Sequence, residues 1–323
     1  MDPLSDVLAL LKPRSYMCRG FDIGGSLAFQ FGQHDGIKCY AVESGRCLLS
    51  MENLGEPIEL QEGDCFLLPR GLPFTIGTDL SLPAVDAMQT IGAMQASERA
   101  GVVSFNGGGE CFVVGGLFTL SGGHAEILTN LLPPIVHVRS EAEKTELRWA
   151  LRRMRQELEG EQPGSQLVAQ QLAYMILVQA LRLHLAEQTA GEVGWLFALS
   201  DKPLRIALAC MHESPSHPWR LLELAQRAGM SRSMFAMRFK EAVGETPMEY
   251  LTRWRMITAS ERLLHSDDAV TDIASSLGYE SESAFRRAFR KIMGCSPRRY
   301  GRAQRTNSRG GPTHGDARPG SHR

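Results

Sequence analysis

Residues 201–300 of this 323-residue chain hold one helical unit written twice. Phe235, Phe239, Gly244, Pro247 and Tyr250 recur 50 residues later as Phe285, Phe289, Gly294, Pro297 and Tyr300. Upstream, Leu224-Ala225 and Gly229 recur 49 residues later as Ile273-Ala274 and Gly278, which places a one-residue insertion between Gly278 and Phe285. Each unit reads helix, tight turn, helix. Leu221, Leu224, Ala225 and Ala228 make the inner face of the first helix, Gly229 allows the turn, and Ser231 caps the next helix. Val270, Ile273, Ala274, Leu277, Gly278 and Ser281 take the same parts in the second unit. Phenylalanines four apart fall on one face and are expected in the core.

The opposite faces are polar. Arg232, Ser233, Ala236, Met237, Arg238 and Lys240 line the first, and Ser281, Glu282, Ser283, Arg286, Arg287 and Arg290 the second. One such pattern is often only a solvated surface. Two in tandem, each ending Gly-x-x-Pro-x-x-Tyr, predict paired helix-turn-helix units. A helix fits the major groove of DNA, polar side chains near its N-terminal half reach base edges, and flanking arginines neutralise phosphates.

The charge follows the same division. Residues 1–200 carry 14 Lys+Arg against 23 Asp+Glu, residues 201–300 carry 16 against 12, and residues 301–323 carry 5 against 1. The even net charge of −1 therefore hides an acidic front and a basic back, which suggests different partners for each. The front, residues 1–140, is glycine-rich with short apolar runs and predicts a small barrel or sandwich. Hairpins are expected around Glu43–Arg46 and Gly63-Asp64, and a break at Gly115-Gly116. Ser140 with Glu143 reads as a capping box, and Leu147, Leu151, Met154 and Leu158 as a helical stripe. A second helix spans about 166–187, and 188–200 reads as a connector. The 141–200 helices can pack on the barrel or on a second copy of the chain. The tail from 301 to 323 has no large apolar residue and is expected to be disordered. The fold class is thus α+β and multidomain: small β-barrel, helical connector, all-α tandem helix-turn-helix domain.

Residues 201–300 resemble the DNA-binding domain of AraC/XylS-type transcriptional regulators. The carrying residues include Leu224-Ala225, Gly229-Met230-Ser231, Phe235, Phe239-Lys240, Gly244 and Pro247, then Arg255 and Leu263-Leu264. The second unit adds Ile273-Ala274, Gly278-Tyr279, Ser283, Phe285, Arg287, Phe289-Arg290 and Ser296-Pro297-Arg298-Arg299-Tyr300. The resemblance implies one long helix, about Pro247–His265, joining two units whose recognition helices enter successive major-groove segments. It adds Arg255 to the candidate DNA contacts. Met237 stands where the family usually has a basic residue. The resemblance implies double-stranded promoter DNA and RNA polymerase as partners, and a small-molecule effector in a front domain.

That front domain resembles the cupin-type sensor of the same class. Gly63-Asp64-Cys65-Phe66-Leu67-Leu68-Pro69-Arg70-Gly71-Leu72-Pro73-Phe74 is close to the second cupin motif. Phe74 stands where metal-binding cupins place a histidine, and His34 stands alone in place of a His-x-His. A metal needs three or four convergent ligands, so no metal, cofactor or catalytic residue is assigned. His124 with Glu126 is read as a polar loop, and Gly107–Gly109 lacks the Lys-Ser/Thr of a P-loop.

Seven cysteines, an odd number with no C-x-x-C pair, and an N-terminus without a basic signal region fit a reduced, cytoplasmic protein. The stretch Leu167–Leu185 contains Gln170, Gln171, Gln179, Arg182 and His184, too polar for a membrane span. Cys18, beside Arg19, is the candidate for a lowered thiol pKa, with Cys111 as a distant second site for redox sensing. The expected function is sequence-specific transcriptional regulation under a ligand or redox signal. Two other readings are a cupin enzyme anchored by a basic domain and a purely architectural DNA binder.

Overall fold

The computed structural model describes residues 2–11, 15–52, 55–95, 101–120, 124–138, 144–160, 162–187 and 194–302. The first part runs α1 (Pro3–Leu11), β1 (Ser15–Ile23), β2 (Ala28–Phe31), β3 (Ile37–Ser44), β4 (Arg46–Ser50), β5 (Ile58–Gln61), β6 (Cys65–Leu68), β7 (Phe74–Gly77) and β8 (Val85–Asp86). It continues with α2 (Ala87–Gln95), β9 (Val102–Phe105), β10 (Cys111–Thr119), α3 (Ala125–Thr129), β11 (Val136–Val138), α4 (Lys144–Glu159) and α5 (Ser165–Glu187). The strands form a six-stranded sheet, β11-β6-β3-β10-β1-β9, and a five-stranded sheet, β5-β4-β7-β2-β8.

Alternation along β3 shows how the layers are made. Ile37, Cys39 and Ala41 join an outer core with α1, α4 and α5, while Tyr40 and Val42 join an inner core with Phe29, Phe31, Leu49, Phe66 and Phe74 between the sheets. The 147–151–154–158 stripe is buried in the outer core, so these helices pack on the barrel.

Three turn readings are corrected. β3 and β4 do not pair with each other; they belong to different sheets, and the chain changes sheet at Gly45. Gly45 has φ +77, and a Cβ there would lie 2.2 Å from the Glu110 carbonyl oxygen, so the residue makes a corner rather than a hairpin turn. Likewise β5 and β6, on either side of Gly63-Asp64, lie in separate sheets. Gly115-Gly116 does not break a strand: both lie within β10, opposite Tyr40 and Cys39. A Cβ at Gly115 would sit 2.0 Å from the Tyr40 ring, so glycine here makes room for an aromatic neighbour.

The second part is helical: α6 (Trp195–Ser200), α7 (Lys202–Glu213), α8 (Leu221–Arg227), α9 (Arg232–Val243), α10 (Pro247–His265), α11 (Val270–Ser276) and α12 (Glu282–Met293). Residues 297–302 are again helical. The end of the expected 188–200 connector is therefore a helix, α6, whose Trp195, Leu196 and Leu199 are buried. The fold class expected from the sequence is the one found. The Ser140–Glu143 capping box, residues 188–193 and the tail beyond 302 lie outside the described residues.

The long α10 divides the helical part between two cores. Its Tyr250, Leu251, Trp254 and Ile257 join the outer core, which runs without a break from the barrel through α6 and α7 to Phe235 and Phe239. Its Met256, Ala259 and Leu263 join a small separate core with Ile273, Ala274, Leu277, Phe285, Phe289 and Tyr300. The first unit is therefore packed as one body with the barrel side, and the second has a core of its own.

Candidate nucleic-acid interface and barrel cavity

Both helix-turn-helix units form as the repeat requires. Gly229 and Gly278 turn at φ +67 and +78, and Ser231 and Ser281 accept hydrogen bonds from the backbone of Met234 and Ala284. Phe235, Phe239, Phe285 and Phe289 are fully buried, on the inner faces expected for them. A capping box of Thr246 and Glu249, with Pro247 in the first turn, starts α10.

Opposite the phenylalanines, Arg232, Ser233, Met237, Arg238 and Lys240 on α9 are exposed, with Ala236 half-buried. On α12, Ser283, Arg286, Arg287 and Arg290 are exposed beside the capping Ser281, and Glu282 is half-buried. The arginines differ in their freedom. Arg238 is ion-paired with the buried Asp201, and Arg286 with Glu282 one turn before it. Arg232, Lys240, Arg287 and Arg290 form no ion pair among the described residues and keep their donors for another molecule. Arg255 is drawn inward. Its Nε donates to the Pro215 carbonyl at 2.6 Å and a terminal nitrogen to the His217 carbonyl at 2.8 Å, while its guanidinium lies 5.7 Å from the Tyr279 ring centre. This geometry ties α10 to the 215–217 loop and to the second unit, which differs from the expected place on a DNA-facing surface. Sequence alone carries no signal for which way this side chain points.

The repeat's closing tyrosines have a use that no sequence pattern announced. Tyr250 and Tyr300 each end on a histidine tied to the barrel side. Trp195 Nε1–H donates to the Tyr250 hydroxyl at 2.9 Å. The hydroxyl in turn donates to His212 Nε2 at 2.7 Å, and His212 Nδ1–H donates to the Asp6 carboxylate on α1 at 3.2 Å. These directions need a neutral imidazole. Burial supplies it, holding His212 below the ordinary value of 6.5 against the pull of Asp6, and the ring stacks on Trp254 at 3.7 Å. The Tyr300 hydroxyl lies 3.5 Å from Nδ1 of His124, which also faces the Ser260 hydroxyl at 3.1 Å. Nε2 of the same ring donates to the Leu10 carbonyl at 3.1 Å. His124 is fully buried between α1 and α10, not in a polar loop. The partners Leu10 and His124 are 114 residues apart, and Asp6 and His212 are 206 apart, so only the folded chain brings them together.

Inside the barrel lies a small apolar pocket, partly open to solvent and walled by Phe21, Ile23, Phe29, Phe31, Tyr40 and Phe105 among other apolar residues. Among the described residues no group of three His, Cys, Asp or Glu side chains could hold a metal. The cysteines are arranged differently from the sequence expectation. Cys18 is pushed well above the ordinary thiol range by burial, with Cys39 adding to it, and its Sγ lies 3.4 Å from the Met154 sulfur. Arg19 does not activate it. Cys18 and Cys111 do not meet: Cys18 sits opposite Gly116 and Cys111 opposite Ile23 on the β1–β10 ladder. Cys111 instead pairs with Cys47, whose thiol donates to it and holds it below the ordinary value.

His34 adds a pH dependence. Burial first, and the Lys38 charge second, lower it to about 4, against weaker pulls from the Gly36 backbone and Asp35. A histidine lowered on folding contributes stability above its unfolded value near 6.5, and that stability is lost as the pH falls toward 4. Urea melts at pH 7.5 and pH 5.0 should show a drop that is smaller in His34→Gln. An equal drop in both proteins would remove His34 from the account.

A family model described as Cupin matches residues 2–186, and one described as Helix-turn-helix domain matches residues 224–303. A putative AraC-like transcription regulator of Streptomyces lividans is 40% identical over 301 residues, covering 93% of this chain and 98% of the relative. Another, from Streptomyces antibioticus, has the same identity and coverage. Among solved structures, the DNA-binding domain of AdpA in complex with a target DNA is 31% identical. It covers 35% of this chain and 100% of its own, with a TM-score of 0.32.

Proposed function

The chain belongs to the AraC-like transcription regulators, and from that premise we propose that an apolar small molecule in its barrel controls how its two helix-turn-helix units engage a promoter. The observation that carries the proposal is the unbroken outer core from the barrel to Phe235 and Phe239, beside a second unit with a separate core. A ligand that shifts the barrel can thereby reorient the first recognition helix relative to the second. The coupling free energy for such control is typically about 1–3 kcal/mol. The proposed division takes residues up to 187 as sensor and 194–302 as DNA-binding part.

In this reading α9 and α12 lie in successive major-groove segments. Arg287 and Arg290, with Ser283, read or anchor the second segment, and Arg232, Ser233 and Lys240 the first. Arg238 and Arg286 are held by Asp201 and Glu282 until DNA competes for them. RNA polymerase is the proposed partner at the promoter. A second copy of the chain would cover the exposed Trp149 and Leu167 on α4 and α5. No helix among the described residues is long and apolar enough to cross a membrane, and the proposed location is the cytoplasm, with the DNA.

A ligand is favoured over an oxidant because burial suppresses the Cys18 thiolate that an oxidant would need. Mapping genomic binding sites supplies the operator, and competition footprinting tests the reading. Arg287→Ala should lose about 1–3 kcal/mol of discrimination if the side chain grips guanine. If it touches only phosphate, affinity should fall on all sequences and the salt slope by about one. Unchanged operator binding in Arg286→Ala, Arg287→Ala and the double variant would refute the assignment of α12, and a footprint without sequence preference would favour an architectural binder.

A further inference from the structure

The helices α9 and α12 share one frame but differ in chemistry at its centre. Each runs 12 residues from a serine cap to a left-handed glycine. The 50-residue offset that pairs Phe235 with Phe285 and Phe239 with Phe289 also pairs Ala236 with Arg286 and Met237 with Arg287. At the α-helical repeat, Met237 and Arg287 each lie about 180° from the mean direction of the two buried phenylalanines on their own helix. Both are the sixth residue of their helix, within its N-terminal half. The side chain at the middle of the outward face is therefore a thioether in the first unit and a guanidinium in the second.

Met237 is 51% exposed, and Met234, one turn before it, 49% exposed. Ala236 beside it is half-buried and offers only a methyl group. Arg238 is held by Asp201, the cap of α7. Arg232 and Lys240 are exposed before and after Met237 along the helix. One apolar side chain on a surface is ordinary. An apolar centre between two cations, on the face whose counterpart carries two arginines, suits a partner with apolar groups set between anionic ones. The major groove of DNA is such a surface, with phosphates on its rims. Its apolar feature is the 5-methyl group of thymine; the other bases show donors and acceptors there. Met237 and Ala236 have no side-chain donor, so the bidentate grip on guanine open to Arg286 or Arg287 is closed to them.

We propose that Met237 reads the 5-methyl group of thymine, so that the first helix-turn-helix unit selects thymine at the place where the second selects guanine. This rests on the reading of α9 and α12 as major-groove helices, and it adds which base the first of them prefers. The unbranched thioether chain is long enough to leave the helix surface and flexible enough to settle on a methyl group. Water leaves both apolar surfaces when they meet, which favours thymine. A cytosine at that place would bring its amino group against the thioether without a partner. The two segments of the operator are then unequal, and the chain lies on the duplex in one direction only.

The test selects duplexes from a random pool with the full chain, then replaces each thymine of the selected sequence in turn by deoxyuridine, which removes only the methyl group. At one thymine or more the wild type should bind about fourfold more weakly after the swap, the factor that corresponds to ~0.8 kcal/mol for one methyl-sized group withdrawn from water. Met237→Ala should lose that penalty at the same thymine, and Met237→Leu, which keeps an apolar side chain, should retain it. Arg287→Ala should leave it unchanged, because that residue serves the other segment. Met237 lies outside the cores, so its variants should melt as the wild type does. A preferred sequence whose deoxyuridine penalties are the same in wild type and Met237→Ala, or absent from both, would overturn the role of Met237 and leave the promoter reading intact. Selection of no preferred sequence would overturn both.

Discussion

Phe289→Ala should cost about 3–5 kcal/mol and unfold the second helix-turn-helix unit ahead of the rest of the chain. The ring is fully buried, edge-on to Tyr300 at 5.6 Å and tilted against Phe285 at 5.8 Å. Its core is small and separate, with few other large side chains to close the void. A domain of this size has little stability to spare, so loss of one ring can exceed what holds the unit together. Phe239→Ala removes an equally buried ring, but from the large core shared with the barrel side. Its cost should therefore appear in the main transition instead. Calorimetry separates the two outcomes: an early, small transition for Phe289→Ala and a lowered main peak for Phe239→Ala. A single unchanged transition in both variants would show that the faces or the division of cores are wrong. DNA binding should fail in both through unfolding, while surface variants such as Arg287→Ala keep a normal melt.

The repeat is legible in the sequence because every part of it is local. Gly229 and Gly278, Ser231 and Ser281, and the phenylalanine pairs act within a turn or two of their own positions, and the structure uses each as expected. The barrel is legible as a class but not in its connections. A glycine between apolar runs signals a hairpin, a sheet-changing corner or a close ring approach equally well. Gly45 is the second and Gly115 the third, and only the distant Glu110 and Tyr40 decide which. The same limit applies to Cys18. Its neighbour Arg19 is visible in sequence, but the burial that dominates its thiol comes from packing against residues such as Met154.

Tyr250→Phe should cost about 1–3 kcal/mol for each buried group it leaves without a partner, and Trp195 and His212 both lose theirs. The ring shape is kept, so no cavity opens and Phe239 keeps its edge contact at 5.8 Å. What is lost is the hydroxyl that accepts from Trp195 and donates to His212. The loss matters beyond stability because His212 passes the link on to Asp6, on the helix that precedes the barrel. The hydroxyl therefore joins α10, which packs in the cores of both recognition units, to the sensor side. If this relay transmits the signal, Tyr250→Phe should lower the melting temperature and shrink the ratio of operator affinities measured with and without effector toward one. Asp6→Asn, which keeps the side chain's size, should shrink the ratio with a smaller loss of stability, since Asp6 lies nearer the surface than Tyr250. A lower melt with the affinity ratio intact in both variants would make the relay a structural brace only. An unchanged melt in Tyr250→Phe would mean that the hydroxyl is not shared between Trp195 and His212 in solution.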